Sequence, residues 1–281
     1  MAGFLNPSEI CKKVREAAKQ KALLPVRALV ILGILAGVYI GFGAELSTMV
    51  THDLAQSLGV GFSKFLAGTV FSVGLMLVVI GGAELFTGNC LMLGCRVQGE
   101  IKTGGLLRNW TIVYFANFAG SLFLVGIMYY SGLWRVGHFG VGAKALMIAN
   151  NKVNLSFVEA VCRGICCNWL VCLAVWLAIA GQDIASKILG IYFPIMAFVA
   201  SGFEHSIANM YFIPMGLFLK GNEAVVSASG LFGKLGELTW SSFLLNNLLP
   251  VTIGNIIGGG IFVAGAYCFV FQKRNASENN L

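Results

Sequence analysis

The chain has 281 residues, of which 57% are hydrophobic and only 11% are charged, and its formal net charge is +7. A soluble domain carries about a quarter charged residues, so this composition excludes an ordinary soluble enzyme and indicates an integral membrane protein in a lipid bilayer. The positive charge is first a topology signal, since no basic stripe with interleaved aromatic residues indicates a nucleic-acid partner.

The N-terminal segment, residues 1–27, is predicted to be a cytoplasmic amphipathic helix. Within it, 6–21 has helix-start signals: Asn6 can cap, Pro7 suits the first turn, and Glu9 completes a capping-box spacing. A solvated helix that sets topology and a helix that gates a pore both fit this pattern. The apolar run that follows is long enough to span a membrane, so we interpret it as a transmembrane helix and not as a removable signal peptide.

Six apolar spans are predicted, which form a channel domain over 28–272 before a cytoplasmic tail, 273–281. The spans are 28–50, 62–95, 109–133, 156–181, 188–217 and 244–272. With the N-terminus inside, the inner segments hold about twice as many Lys and Arg residues as the outer ones, which predicts that both termini are cytoplasmic. The membrane expected is the inner (plasma) membrane of the cell.

The second and fifth spans are too long for one straight helix across a core of about 30 Å. Each contains the same interruption, G-x-E-x-x-x-x-N, at residues 82–89 and 202–209. An N-x-x-G echo follows in the third and sixth spans, at Asn117 and Asn255. The chain therefore reads as two three-helix repeats, which must insert with opposite orientation because three is odd. Inverted repeats with helices broken at mid-membrane are typical of transporters.

The residues near the two breaks predict a pore that is mostly apolar. The candidates for its lining are Phe71, Leu75, Leu85, Phe198 and Phe203. No ring of acidic side chains of the kind expected in a cation channel accompanies them. His205 lies in the second break, where an ionisable side chain is by default functional.

Structural roles compete with functional ones for several of these polar side chains. Glu84 and Glu204 can each cap the half-helix that follows its break, and Thr87 and Asn89 are open to the same interpretation. Glu159 and Arg163 are four residues apart and are expected to pair. The glycines at every fourth position of the first span, from Gly33 to Gly41, favour close helix packing. The eight cysteines indicate neither disulfides nor a metal site.

Four stretches resemble the formate–nitrite transporter family, and in particular the bacterial formate channels. They are VIGGAELFTG (79–88), GICCNWLVCLA (164–174), FVASGFEHSIANM (198–210) and NNLLPVTIGNIIGGG (246–260). The resemblance covers all six spans and is weakest in the first 25 residues. It implies an aquaporin-like, all-α protomer in a homopentamer, with a separate pore in each protomer and no cofactor.

The resemblance also assigns roles to individual residues. Leu75, together with Phe71, and Phe198 on the other side are expected to form two hydrophobic constrictions. Leu85 and Thr87 belong to a mobile loop, with Thr87 facing His205 at the pore centre. The vestibule residues implied are Lys152 in an outer loop with Glu204 and Asn209, and Lys21 with Glu84 and Asn89. Arg27 is an alternative to Lys21. After Thr87 the loop departs from several formate channels, which affects the choice of substrate.

The function that these patterns favour is transport of a small monovalent anion, formate, in a channel-like manner or together with a proton. Nitrite or hydrosulfide is the alternative within the same architecture. A pore for water or glycerol is less favoured because the paired Asn-Pro-Ala motifs of aquaporins are absent from the sequence. An enzyme is not predicted, since His205 next to Ser206 is the only pair resembling a base and a nucleophile, and adjacent residues on a helix point apart.

Overall fold

The computed structural model describes residues 3–271, and the predicted tail at 273–281 lies outside the described residues. Six of the described helices are long and apolar enough to cross a membrane. They are α2 (Val26–Thr51), α4 (Gly59–Gly81), α7 (Thr103–Ser131), α9 (Phe157–Ala180), α10 (Ile184–Ser201) and α13 (Trp240–Phe271). The prediction of six spans is confirmed. The second and fifth predicted spans, 62–95 and 188–217, run well beyond the ends of α4 and α10, because they include the helix breaks and the short helices that follow.

Shorter helices connect and complete these spans. They are α1 (Pro7–Leu23), α3 (Leu54–Ser57), α5 (Phe86–Asn89), α6 (Met92–Val97), α8 (Gly140–Val153), α11 (Ser206–Leu219) and α12 (Glu223–Ser229). Within α13 the backbone is π-helical over Phe243–Leu248 and again over Ile257–Gly265. π-Helical stretches are rare in proteins, and those that do occur often lie near functional sites.

The N-terminal helix α1 begins as the sequence predicts. The Asn6 side chain accepts hydrogen bonds from the backbone N–H groups of Ser8 and Glu9, and the Glu9 carboxylate accepts one from the Asn6 N–H at 2.8 Å. The apolar face of α1 packs on α6, α7 and α9. On its polar face, Arg15 and Lys19 both pair with Glu100. This helix is therefore docked on the six-helix bundle rather than solvated on all sides.

Both predicted helix breaks are present and share one backbone geometry. Helix α4 ends at Gly81 and α10 ends at Ser201, and each is followed by a glycine in the left-handed region, Gly82 at φ +83° and Gly202 at φ +78°. A left-handed residue costs L-amino acids about 1–2 kcal/mol, a cost that glycine does not incur. Three residues after each break the chain resumes helix as α5 and α11.

The two halves of the bundle make matching helix contacts. In the first half α2 packs on α4 and α7, and in the second half α9 packs on α10 and α13. A Cβ atom at Gly37 of α2 would collide with the backbone of Asn117 in α7, and one at Gly258 of α13 would collide with the backbone of Ile165 in α9. Helices α4 and α10 join the halves. These contacts follow the predicted repeat.

Candidate functional site

The first helix break holds a buried carboxylate that is hydrogen-bonded on both oxygens. Lys21 of α1 donates from Nζ to Glu84 Oε1, and Asn89 donates from Nδ2 to Glu84 Oε2 at 2.8 Å. Asn89 also donates to Asn109 Oδ1 at 2.8 Å, and Asn109 donates to the Lys21 carbonyl at 3.2 Å. The four residues form a closed ring, which we call the Lys21 network. Its lysine and glutamate neutralise each other.

The second break repeats this ring with different residues. Lys152 donates to Glu204 Oε1 at 2.8 Å, and Asn209 donates to Glu204 Oε2 at 2.6 Å. Asn209 also donates to Asn247 Oδ1 at 2.7 Å, and Asn247 returns a hydrogen bond to the Lys152 carbonyl at 2.9 Å. We call this ring the Lys152 network. Each of the four bonds has its equivalent in the Lys21 network, and Asn247 adds a fifth bond, to Glu204 Oε2 at 3.3 Å.

Two asparagines hold the opened backbone of the breaks. Asn117 donates from Nδ2 to the carbonyls of Gly33 and Glu84 at 2.8 and 2.9 Å, and its Oδ1 accepts from the Phe86 N–H at 3.0 Å. Asn255 makes the equivalent three bonds to Gly164, Glu204 and Ser206 at 2.8, 3.0 and 2.9 Å. Backbone groups that leave a helix at membrane depth need such partners, because lipid supplies none.

The glutamates do not act as helix caps, which corrects the capping interpretation. Neither carboxylate accepts a hydrogen bond from the N-terminus of α5 or α11. His205 is the residue that caps α11, since its Nδ1 accepts from the Ala208 N–H at 3.0 Å. The acidic side chains of both breaks are therefore committed to lysine and asparagine partners instead.

The two halves meet where Thr87 contacts His205. Thr87 Oγ1 lies 2.9 Å from His205 Nε2, and both side chains are buried. Because Nδ1 accepts the cap hydrogen bond, the network assigns the proton of the neutral ring to Nε2, which donates to the threonine oxygen. The Thr87 carbonyl is held in turn by Asn168 Nδ2 at 3.1 Å.

Two separate cavities approach this contact from opposite ends. The cavity beside the Lys21 network has a volume of about 250 Å³, and the cavity beside the Lys152 network has a volume of about 310 Å³. Leu75, Leu85 and Glu84 line the first, and Phe198, Phe203 and His205 line the second. The cavities share no lining residue, so the path between them is closed, and the Thr87–His205 contact belongs to the closed part.

The structure divides the expected constriction residues differently from the resemblance. The resemblance groups Phe71 with Leu75, but Phe71 lines the Lys152 cavity and contacts Phe198 edge-to-face, with ring centroids 5.6 Å apart. Leu75 lies on the Lys21 cavity with Leu85. Phe71 and Leu75 are one turn apart on α4, so the closed segment between the cavities spans about 6 Å along that helix.

Other predicted positions are placed as follows. Lys152 lies in the last turn of α8 and not in a loop, which is a correction. Lys21, and not the exposed Arg27, reaches Glu84. Arg163 pairs with Glu159 at 3.5 Å as expected, and Glu159 also forms a capping box with Ser156.

Sequence reasoning missed Asn109 and Asn247, which close the two networks. A signal was present, because each lies eight residues before the asparagine that holds a break, Asn117 or Asn255. The pattern N-x7-N-x-x-G therefore occurs once in each half. Asn168, which fixes the Thr87 carbonyl and donates to the Asn255 carbonyl at 2.6 Å, was also missed. It lies inside a quoted motif, but no repeat marks it.

Comparison with known proteins gives a uniform result. The family model described as "Formate/nitrite transporter" matches residues 8–269. A probable formate transporter of Methanothermobacter thermautotrophicus is 43% identical, over 97% of this chain and 99% of that protein. The formate channel FocA of Escherichia coli K12 is 38% identical, over 97% and 96%.

Solved structures agree with this. A structure titled "Pentameric formate channel with formate bound" matches with a TM-score of 0.77 at 36% identity, covering 92% of this chain and 99% of that one. An FNT family ion channel matches with a TM-score of 0.79 at 28% identity, covering 93% and 98%. The chain is a multi-pass membrane protein that belongs to the formate/nitrite transporter family.

Proposed function

We propose that this protein carries formate across the membrane through a pore in each protomer of a homopentamer. The observation that carries the proposal is the closed Thr87–His205 contact, flanked on both sides by a cavity that contains a lysine–glutamate–asparagine network. Relatives that are named formate channels or formate transporters support formate as the anion. A solved pentameric relative supports five protomers.

The apolar segment between the cavities determines what form of the anion crosses. A bare carboxylate entering it loses its hydration without gaining equivalent hydrogen bonds, at a cost of several kcal/mol or more. If HCOO⁻ takes one proton from the water of one cavity, it crosses as neutral HCOOH and releases that proton on the other side. Formate and one proton then move together, and the barrier for the crossing is much lower.

His205 and Thr87 act on the carboxyl group at the centre of this path. The Nε2–H of His205 donates to a formate oxygen once the Thr87 contact opens, and the Thr87 hydroxyl supplies a second hydrogen bond. Proton relay through His205 requires Nδ1 to release the Ala208 amide, so donation to the anion fits the ring better than relay does. Leu75, Leu85, Phe71 and Phe198 exclude water on either side.

The orientation is part of the same proposal. We place the protein in the cytoplasmic membrane with α1 and both termini on the cytoplasmic side, in agreement with the excess of Lys and Arg on that side. Lys21, Glu84 and Asn89 then belong to the inner vestibule, and Lys152, Glu204 and Asn209 to the outer one. Residues 1–27 form the cytoplasmic segment and 28–272 the channel domain.

Purified protein in liposomes tests the substrate and the coupling together. Uptake of formate, nitrite and hydrosulfide is compared at two external pH values while a trapped dye reports internal pH. Formate-dependent internal acidification that is steeper at the lower pH supports proton-coupled formate transport. Faster uptake of nitrite, which the family description also names, or of hydrosulfide keeps the architecture and overturns the choice of formate. Uptake of none of them overturns the transport proposal.

A further inference from the structure

Neither network lysine has a free positive charge to offer to an incoming anion. Lys152 Nζ is 2.8 Å from the Glu204 carboxylate and 5.4 Å from the centre of the Phe212 ring, and Lys21 is paired with Glu84. At a distance of several ångströms, a paired ammonium and carboxylate largely cancel each other's field. If an anion is attracted into either cavity, other cations must attract it.

The Lys152 cavity contains such cations, and the Lys21 cavity does not. Besides Lys152, the lining of the Lys152 cavity includes Lys64, Lys144 and Arg163, and Glu204 is the one acidic residue in it. In the Lys21 cavity, Lys21 and Glu84 are the only charged lining residues in the described part of the chain. The two ends of the path are therefore electrostatically unequal, although their networks match.

Lys64 and Lys144 are the unpaired members of this group. Neither has an ion pair with any residue in the described range 3–271, whereas Arg163 is compensated by Glu159. Lys144 is half-buried, and burial lowers the pKa of its ammonium with no nearby carboxylate to oppose the shift. A partly desolvated cation without a counterion is stabilised by an anion that comes close to it.

Lys144 lies on the face of α8 that lines the Lys152 cavity, at a distance from the Thr87–His205 contact. One face of α8 lines the Lys152 cavity through residues at every fourth position, which are Lys144, Ile148 and Lys152. At 1.5 Å per residue, Lys144 is about 12 Å along the helix from Lys152. The cavity therefore extends from Lys144 to His205, which lies next to the apolar segment.

We propose that Lys144, assisted by Lys64 at the exposed start of α4, forms a capture site for small monovalent anions at the mouth of the Lys152 cavity. This inference rests on the proposed function, because the captured anion is the one that the pore transports. The site holds formate electrostatically before the anion moves deeper into the cavity towards His205. Among the described residues, no unpaired cation lines the Lys21 cavity itself, so we place the capture site on the Lys152 side.

The test compares Lys144→Gln, Lys144→Arg and Lys234→Gln in liposomes. Lys234 is exposed, belongs to neither cavity lining, and its substitution changes the net charge equally. Initial formate uptake is measured against formate concentration at about 20 mM and about 200 mM salt, since added salt screens an exposed charge. In parallel, line broadening of ¹³C-formate is recorded with each protein in detergent, which needs no transport.

We expect Lys144→Gln to raise the KM for uptake at low salt roughly two- to tenfold, with the difference shrinking at high salt and the maximal rate unchanged. Lys144→Arg and Lys234→Gln should match the original protein, and Lys144→Gln should reduce the broadening of the formate line. An unchanged KM at low salt, or a lower maximal rate with the same KM, overturns the capture site. Broadening that needs Lys144 in a protein that passes no formate overturns the proposed function and leaves the capture site standing.

Discussion

The Nε2 atom of His205 lies 2.9 Å from the hydroxyl oxygen of Thr87, although the two residues belong to helix breaks in opposite halves of the chain. Their equivalents by repeat are Leu85 and Ile207, which are apolar. The repeats therefore match in their supporting networks and differ at the point of contact. The polar contact between His205 and Thr87 therefore has no equivalent at the repeat-related positions.

His205→Asn is predicted to slow formate uptake while leaving the folded yield unchanged. Asparagine is a good N-cap residue and can replace the cap to Ala208, but it loses the ring Nε2–H. A hydrogen bond to a charged group contributes about 1.5–3 kcal/mol, so the rate should fall roughly ten- to hundredfold. Formate uptake is measured across a range of pH values, and the purified yield is measured for the same variants. Thr87→Val, which removes the hydroxyl on the other side of the same contact, is the matched variant. An unchanged rate and pH profile would show that the histidine has no role.

Asn117→Ala and Asn255→Ala are predicted to destabilise the fold by similar amounts. Each substitution removes three hydrogen bonds to the backbone. It leaves two buried groups of the break, one carbonyl and one N–H, without a partner, and each such group costs about 1–3 kcal/mol. Thermal unfolding in detergent measures the effect, with Asn151→Ala, at an exposed position, as the control. If one variant unfolds like the original protein, the two breaks are not held equivalently.

Lys21→Met is predicted to be more harmful than Lys21→Met combined with Glu84→Gln. The single change leaves a buried carboxylate without a cation, which costs up to about 3–5 kcal/mol, and the second change removes that charge. Thermal stability is compared among both variants and Arg27→Gln, which should behave like the original protein. If Arg27→Gln lowers the thermal stability and Lys21→Met does not, then Arg27, and not Lys21, is the cation of this vestibule.

Oxidation is predicted to join Cys11 of α1 to Cys268 of α13, because their sulfur atoms are 3.9 Å apart. Diamide takes up the two electrons and two protons that the thiols release, and mass spectrometry of proteolytic fragments detects the link. The hydrogen bond from Cys268 and the nearby Arg15 hold the pKa of Cys11 below its ordinary value. Its thiolate therefore persists at neutral pH, and the rate should fall as the pH drops through that lowered pKa.

The same cross-link distinguishes the two roles left open for α1. If formate uptake continues at the original rate after Cys11 is linked, α1 acts as a fixed topology-setting helix. If uptake stops and returns on reduction, α1 must move for the pore to open. Cys11→Ser is the control for the reagent, and the exposed Cys162 and Cys166 should not link to α1.

Much of this architecture is visible in the sequence, because hydropathy, span length and the repeated G-x-E-x-x-x-x-N pattern are local or periodic signals. The break glycines and the partners Lys21 and Lys152 follow from the repeat and the family resemblance. Which cavity Phe71 faces does not follow, since one turn of α4 separates it from Leu75 and only tertiary packing decides. The contacts of Asn168 with Thr87 and Asn255 join residues more than 80 positions apart, and no local sequence pattern predicts them.

The thinness of the closed segment has an electrical consequence. Water that fills both cavities would carry the potential of the adjoining solution inwards, and most of the membrane voltage would then fall across about one helical turn near Phe71 and Leu75. A formate anion crossing there experiences nearly the whole field, about 2.3 kcal/mol for 100 mV, over a distance far shorter than the bilayer. Neutral formic acid experiences none. The current carried at a fixed formate gradient thus reports directly which of the two species makes the step.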